Sequence, residues 1–441
     1  MSGNPRGSVK LGDLFTIKHG YAFKGEHFGT QGSHIVLTPG NFFDEGGFKK
    51  KGDKEKWYSG KIPEDYILSR GDLIVAMTEQ GEGLLGSAAI VPESSRYLHN
   101  QRLGLIQNLN DVNKRFLYYL FNSHPVRQQI RASCSGVKVR HTSPSRIYDV
   151  KVDIPPHPTQ RKIAAVLSAY DDLIENNLRR IKILEEMAQN IYREWFVKFR
   201  FPGYERVRFV DSPLGPIPEG WEAVRFSDLL ASGLGGDWGL DEPDAKEDSP
   251  VFVIRGTDFD SIVNGTALRT PRRFITPTSQ AKRQLQAGDL LVENSINAKS
   301  RCVGTTLLIT DGVLRRLSNP AIAASFCKVY RFKDQLLAPL AHLHMRHLYG
   351  EGNMAFYQNV ATNGIGNFQS QRFLESEYLV FPTNLQRQKE MLGFLNDLTS
   401  STLADQTFTL RRTRDLLLLK LISGEVDVSE LYITIPEEVA A

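Results

Sequence analysis

Apolar residues recur in alternating steps of four and three through residues 160–199: Ile163, Leu167, Tyr170, Ile174, Ile181, Leu184, Ala188, Ile191 and Trp195, with Asn177 as a polar member near the middle. This heptad spacing predicts a long helix whose seam faces a partner helix. Neither glycine nor proline interrupts it. At about 1.5 Å per residue the helix would be about 60 Å long, more than a surface helix of one domain needs and suited to a spacer.

The spacing returns in residues 388–423, on Met391, Leu395, Leu398, Thr402, Asp405, Thr409, Arg412, Leu416 and Leu419. Each stands at a constant offset from its counterpart, Met391 from Ile163 and Asp405 from Asn177. This second seam is apolar at its ends and polar in its middle, so it adds little burial energy alone. The inference is that it packs on the first helix, with Asn177 opposite Asp405 as a polar pair that fixes register.

Between these helices the chain repeats itself. Residues 9–155 read as one mixed α/β unit, and residues 201–382 replay its order. His34-Ile-Val-Leu-Thr-Pro-Gly-Asn-Phe42 is echoed by Val251-Phe-Val-Ile-Arg-Gly-Thr-Asp-Phe259, and Gly71-Asp72-Leu73 before a buried strand by Gly288-Asp289-Leu290. Residues 364–382 stand where residues 136–156 stood, a loop leading to a strand that ends at proline. Residues 201–221, rich in Pro and Gly, read as an extended linker. The period far exceeds that of solenoid repeats. Boundaries follow: a first unit at 1–156, a helix at 157–200, a second unit at 201–384, a helix at 385–424, and a tail at 425–441.

Composition narrows the class only a little. Of 441 residues, 41% are hydrophobic and 24% charged, ordinary for a globular protein. No apolar run reaches the roughly 18 residues of a membrane span, and residues 1–15 have no apolar signal segment. Three scattered cysteines suggest a reducing compartment, without a disulfide framework or zinc site. A net charge of +4 permits a polyanionic partner without requiring one.

The doubled order of strand, Gly-Asp-Leu, strand, basic loop and Ile154-Pro155-Pro156 followed by Gln160-Arg161-Lys162-Ile163 and a heptad helix resembles the specificity subunit of a type I restriction-modification system. The pieces that carry it are residues 70–78, 154–167, the helix to Phe196 and the ending Leu-Leu-Leu-Leu-Lys-Leu-Ile-Ser-Gly-Glu-Val-Asp-Val at 416–428. The second copy departs in its proline segment (Phe381-Pro382-Thr383-Asn384) and its polar helix seam. The resemblance implies an α+β (mixed α/β) fold: two tandem target-recognition domains separated by two long antiparallel coiled-coil helices, with internal pseudo-two-fold symmetry. It implies a cytoplasmic bacterial or archaeal protein with no active site. Each domain would read one half of a bipartite target in double-stranded DNA, and the helices would set the unread spacer. Two methyltransferase (modification) subunits would dock, with restriction/translocase subunits joining through them. This chain would bind no cofactor; S-adenosylmethionine, Mg and ATP would sit on partner subunits.

Basic loop segments in both units offer candidate DNA contacts. Lys49 and Lys51 belong to a lysine-rich stretch beside Trp57 and Tyr58, and Lys138, Arg140, His141 and Arg146 to one with no acid among them. The second unit offers Arg272, Arg273, Lys299 and Arg301. Lysines suit phosphates, whereas Arg, Asn and Gln can read base edges; hence Arg140, Arg146, Asn294, Asn297, Asn367, Gln369 and Arg372 are candidate readers through the major groove. The same charges could equally be solvated faces. Glycine-rich loops at 81–86 and 295–304 follow the buried strand and could cradle phosphate, but neither fits a nucleotide-binding spacing. Tyr192, Trp195, Phe196 and Phe199 are read as a docking surface for partner subunits or as internal packing.

The alternative is a stand-alone DNA-modifying enzyme, methyltransferase or nuclease. Asp153-Ile154-Pro155-Pro156-His157 has the wrong spacing and no aromatic for a methyltransferase motif, and Asp289 to Glu293 has no Lys two residues later, as the acid followed by Asp/Glu-x-Lys of a metal nuclease needs. His342, His344 and His347 invite a zinc reading, but on a helix His344 points away from His342.

Overall fold

The computed structural model describes every residue except 1–6, 81–82, 267–269, 298–300, 318–319, 400–401 and 441. The chain forms two compact units: Met1–Asp172 with Arg412–Ala441, and Leu173–Arg411. Each unit takes part of both long helical segments.

In the first unit a four-stranded antiparallel sheet runs in the order Thr16–His19, Leu103–Gln107, Leu73–Ala76, Ala88–Ile90. Four shorter strands, Phe28–Gly29, Trp57–Tyr58, His34–Val36 and Tyr97–Leu98, make a second sheet whose last pair is parallel. The second unit repeats the pattern. Its antiparallel sheet runs Leu230–Gly235, Cys327–Phe332, Leu290–Glu293, Thr306–Leu308, and its smaller sheet runs Arg272–Ile275, Ser249–Ile254, Ala321–Ala323, again with a parallel last pair.

The Gly-Asp-Leu motif has one job in both copies. Gly71 and Gly288 adopt φ of 88° and 87°, the left-handed region glycine enters without strain. The aspartate after each closes the turn on a backbone N–H three residues back: Asp72 accepts from Ser69 and Asp289 from Gln286, both at 2.8 Å. The strand that follows is buried on both faces, with Leu73 to Ala76 and Leu290 to Val292 fully covered, which explains an unbroken apolar run instead of alternation. The echoed segments 34–42 and 251–259 each bend into a single helical turn, Pro39–Asn41 and Gly256–Asp258, capped by the same reciprocal contact: Asn41 accepts from Thr38 N and Asp258 from Arg255 N.

The first long helix is continuous from His157 to Tyr192 and ends in a π-helical turn, Arg193–Val197. Its seam is buried at Ile163, Leu167, Ile174, Asn177, Ile181 and Ala188. The second segment runs as Leu385–Thr399 and Leu403–Ser423. In the first unit Ile163 and Leu167 share a core with Leu418 and Leu421; in the second, Ile181 packs with Leu403 and Ala404, and Trp195 stacks on Phe394. Within each unit, then, the two segments run antiparallel.

The phase of the second seam differs from the expected one beyond residue 402. Leu416 and Leu419, expected to face inward, are 52% and 46% exposed, while Leu418 and Leu421 are buried. Leu403, Thr407, Arg414 and Leu421 line the covered side, offset from Thr402, Asp405 and Arg412. Thr402 takes a turn, the helix that begins at Leu403 is out of phase with the expected seam, and this removes most of the polar middle from the covered side. Asp405 does not meet Asn177: its carboxylate oxygens pair with Arg315, at 2.9 Å, and with Arg316. With Ile181 against Leu403 and Ala404, one antiparallel turn places Asn177 at the level of Thr407, which is fully buried.

One further expectation is corrected. Residues 201–221 are not a free linker: Phe201 is buried and stacks on Trp221 at 4.8 Å, and Ile217 and Trp221 join the core of the second unit. The tail after residue 424 packs on the first unit, since Val428 and Val439 enter its core and Asn113 donates to the Val439 carbonyl at 2.7 Å. Among the described residues, no helix is long and apolar enough to cross a membrane.

Candidate nucleic-acid interface

In the first unit the candidate residues fall on two loops. Residues 135–141 form a hairpin closed by reciprocal bonds between Ser135 and His141, N–H to O, at 3.0 and 2.8 Å. Lys138 lies at its exposed tip. Arg140 faces the buried carboxylate of Glu79 across the ladder, with Nη1 to Oε1 at 3.5 Å. Arg146 turns back onto the hairpin, Nη1 donating to Ser135 Oγ at 2.9 Å and to the His141 carbonyl at 3.4 Å. Arg146, expected to read bases, therefore braces the loop, while Lys138 and His141 remain exposed.

The second loop carries Lys49 and Lys51. Lys49 is exposed and sits over the Phe43 ring at 5.7 Å, a contact open to a passing phosphate. Lys51 lies closer in, Nζ donating to Thr38 Oγ1 at 3.4 Å; burial lowers its pKa, only partly offset by Glu55. Neighbouring Lys50 is paired with Glu93 at 2.6 Å.

The glycine-rich loop beside them is no phosphate cradle. The N–H groups of Gly83, Leu84 and Leu85 all donate to Glu79 Oε2, at 3.1, 2.9 and 2.8 Å. The nest already holds an anion, and the protein supplies it. Arg127, which sequence reading passed over, locks the loop from below through bonds to the carbonyls of Leu85 (2.8 Å), Asp44 (3.0 Å) and Gly83. Burial pushes its pKa down to about 10.

In the second unit a three-stranded ribbon, Ser295–Asn297, Ile365–Phe368 and Gln358–Val360, occupies the place of the first unit's hairpin. Asn294 and Asn367 converge on Ser295: its hydroxyl donates to Asn367 Oδ1 at 2.7 Å and lies 3.3 Å from Asn294 Nδ2. Asn294 Oδ1 is buried with no hydrogen-bond partner. Asn297 is exposed on the same ribbon. Gln369 and Arg372 bond to each other at 3.2 Å at the foot of the ribbon.

The other candidates lie apart. Arg301 bonds Glu293 at 2.9 Å and Thr305 at 3.0 Å, so its guanidinium is committed inside the unit. Arg273 stacks on Trp238 at 4.7 Å and pairs with Asp241, whereas Arg272 is exposed over Phe274 at 5.2 Å. Lys299 lies outside the described residues.

The aromatic stretch read as a possible docking face is covered within its own unit. Tyr192 and Phe196 are buried, and Trp195 and Phe199 pack against the same core. Exposed apolar side chains on the long helices include instead Leu173, Ile183, Met187, Leu385 and Phe394 in the second unit and Leu416 and Leu419 in the first. The three histidines do not converge on one point: His342 meets Thr306 Oγ1 at 2.9 Å, while His344 bridges Tyr192 and Glu377 and the His347 ring packs on the same Tyr192. Among the described residues no group of three or more His, Cys, Asp or Glu is placed to hold a metal.

Comparison with known proteins places this architecture. Residues 7–186 match the type I restriction modification DNA specificity domain. The chain is 33% identical over 131 residues to the type I restriction enzyme MjaIX specificity subunit of Methanocaldococcus jannaschii, a match covering 30% of each chain. It is 23% identical over 274 residues to the MjaVIII specificity subunit of the same organism, covering 62% of this chain and 59% of that one. The EcoBI specificity subunit of Escherichia coli is 28% identical over 182 residues, 41% of this chain and 35% of the other. The matches thus span less than two thirds of these relatives. The crystal structure of the type I restriction-modification S subunit from M. genitalium shares the fold across 96% of this chain and 97% of its own, with TM-score 0.52 and 12% identity.

Proposed function

We propose that this chain is the sequence-specific DNA-recognition subunit of a type I restriction-modification complex. Each unit reads one half of a bipartite target in double-stranded DNA through the major groove, and the long helices set the spacer between the halves. The chain itself is non-catalytic and binds no cofactor. Two modification subunits carrying S-adenosylmethionine dock on it, and restriction/translocase subunits using Mg and ATP join through them, in a bacterial or archaeal cytoplasm.

The observation that carries this reading is the duplicated sheet topology, with a loop or ribbon of candidate contact residues at the same place in each copy. Two like scaffolds bearing unlike side chains (Lys138, Arg140 and His141 in one, Asn294, Asn297 and Asn367 in the other) suit an asymmetric target. The outward Ile183 and Met187 in one unit, and Leu416 and Leu419 in the other, supply apolar area for docking.

The test uses the full-length chain with DNA and S-adenosylmethionine, first alone and then with modification subunits. Methyl transfer should need the added subunits and occur at one bipartite sequence. Methyl transfer or cleavage by the chain alone would establish the stand-alone enzyme in its place.

A further inference from the structure

Both units present β-branched apolar side chains on an exposed hairpin at the same place in the fold. In the first, Gly136 turns the chain with φ of 95°, where a Cβ would meet the Val139 carbonyl oxygen at 2.1 Å. Val137 follows, 95% exposed. In the second, Gln358–Val360 turns into Ile365–Phe368 through bonds from Ala361 N to the Ile365 carbonyl (2.8 Å) and from Gly364 N to the Ala361 carbonyl (2.9 Å). Gly364 has φ of 79°, and Ile365, next to it, is 41% exposed.

A single exposed valine needs no explanation. What recurs is a left-handed glycine followed directly by a β-branched side chain, Gly136-Val137 and Gly364-Ile365, ahead of matching strands and helices, with Ile365 two residues nearer its strand than Val137 when the strands are aligned on Thr142 and Phe368. Each hairpin is tied to the extension of the buried strand in its own unit: Thr142 N donates to the Met77 carbonyl at 2.9 Å, and Phe368 N to the Asn294 carbonyl at 2.8 Å. The first is braced again by Arg146. These apolar side chains are therefore held out on rigid supports.

The surroundings select the occupant. Lys138 stands beside Val137, and no acid interrupts the sequence from Arg131 to Arg146, so the first hairpin complements a polyanion. The major groove of B-DNA admits a two-stranded ribbon, and the apolar group on its base edges is the thymine C5-methyl.

Resting on the DNA-recognition reading, we propose that each hairpin enters the major groove and that Val137 and Ile365 contact a thymine methyl in their respective half-sites. Each half-site then contains a thymine read by its methyl group alone.

The test begins with the full-length parent chain and a random double-stranded DNA library. The enriched target is remade with deoxyuridine, which lacks the methyl, at one thymine at a time. The parent should lose about tenfold in affinity at one position in each half-site. Val137→Ser should abolish the uracil effect in one half-site only, and Ile365→Ser in the other. A parent indifferent to uracil at every position overturns the proposal without reference to any variant. Unchanged uracil sensitivity in both variants overturns it equally. A parent that enriches no sequence overturns the DNA-recognition reading itself, and this proposal with it.

Discussion

The Asp171 carboxylate and the Arg414 guanidinium lie 2.6 Å apart, an ion pair joining the two long helical segments inside the first unit. The second Asp171 oxygen accepts the Tyr119 hydroxyl, also at 2.6 Å, and the Arg414 side chain is only 13% exposed. This is the polar register lock of the helix pair in that unit. The one expected from periodicity, Asn177 with Asp405, does not form.

Breaking one partner of a buried pair leaves an uncompensated charge. Arg414→Ala should therefore destabilise the protein by about 3 kcal/mol, read from urea denaturation. Asp171→Ala should cost a similar amount, and the double variant less than the sum of the two. Additive costs would mean that the two side chains do not interact.

The phase of the second seam makes a sharper separation. Leu421 is 1% exposed and Leu416 52%. Leu421→Ala should cost about 2–5 kcal/mol through the cavity it leaves, whereas Leu416→Ala should stay within about 0.5 kcal/mol. The reverse ranking in thermal or urea unfolding would restore the uninterrupted heptad.

Two buried histidines give the pH dependence a sign. Burial lowers His342 to about 3, with Arg346 adding to the effect, and lowers His99 to about 4, against the bond to the Leu103 carbonyl. Unfolded histidine titrates near about 6.5, so between those values the unfolded chain binds the extra protons. Stability from these groups is complete above about pH 6.5 and is lost as pH falls toward about 3–4. Urea midpoints measured from pH 7.5 to 4.5 should decline steadily. A midpoint flat across that range would show that neither histidine is held neutral.

The candidate contact residues separate by role. Lys49→Glu with Lys51→Glu should weaken binding to every DNA sequence and flatten the salt dependence by about 2 in log–log slope. Asn367→Ala should relax preference at one half-site alone, at about 1–3 kcal/mol. Arg146→Ala acts through the hairpin it braces and should disturb the same half-site as Val137→Ser. Filter-binding titrations over several salt concentrations and sequences distinguish these outcomes.

The duplicated scaffold was legible because it is written in local chemistry. A left-handed glycine, an aspartate closing its turn and a doubly buried strand leave the same residues in both copies. The first helix was legible for the same reason, since its seam runs unbroken. The rest failed where tertiary contacts outrank spacing. Thr402 takes a turn and the helix that begins at Leu403 runs out of phase with the expected seam, and no apolar count announces such a break. Asp405 was read as facing the first helix because it falls on the heptad, yet Arg315 and Arg316, distant in sequence, claim it. Arg127 carried no motif at all, because its partners are backbone carbonyls on two separate loops. The glycine-rich loop named no partner in the sequence, and the carboxylate its N–H groups hold is that of Glu79.

Genome-wide mapping of methylated bases, in a host carrying this chain together with the proposed modification subunits, tests the central claim most directly. The account predicts one asymmetric motif with two unlike specified halves and a fixed unread gap, lengthened when seven residues are inserted into both long helices. A continuous motif, or a gap indifferent to that insertion, would contradict it.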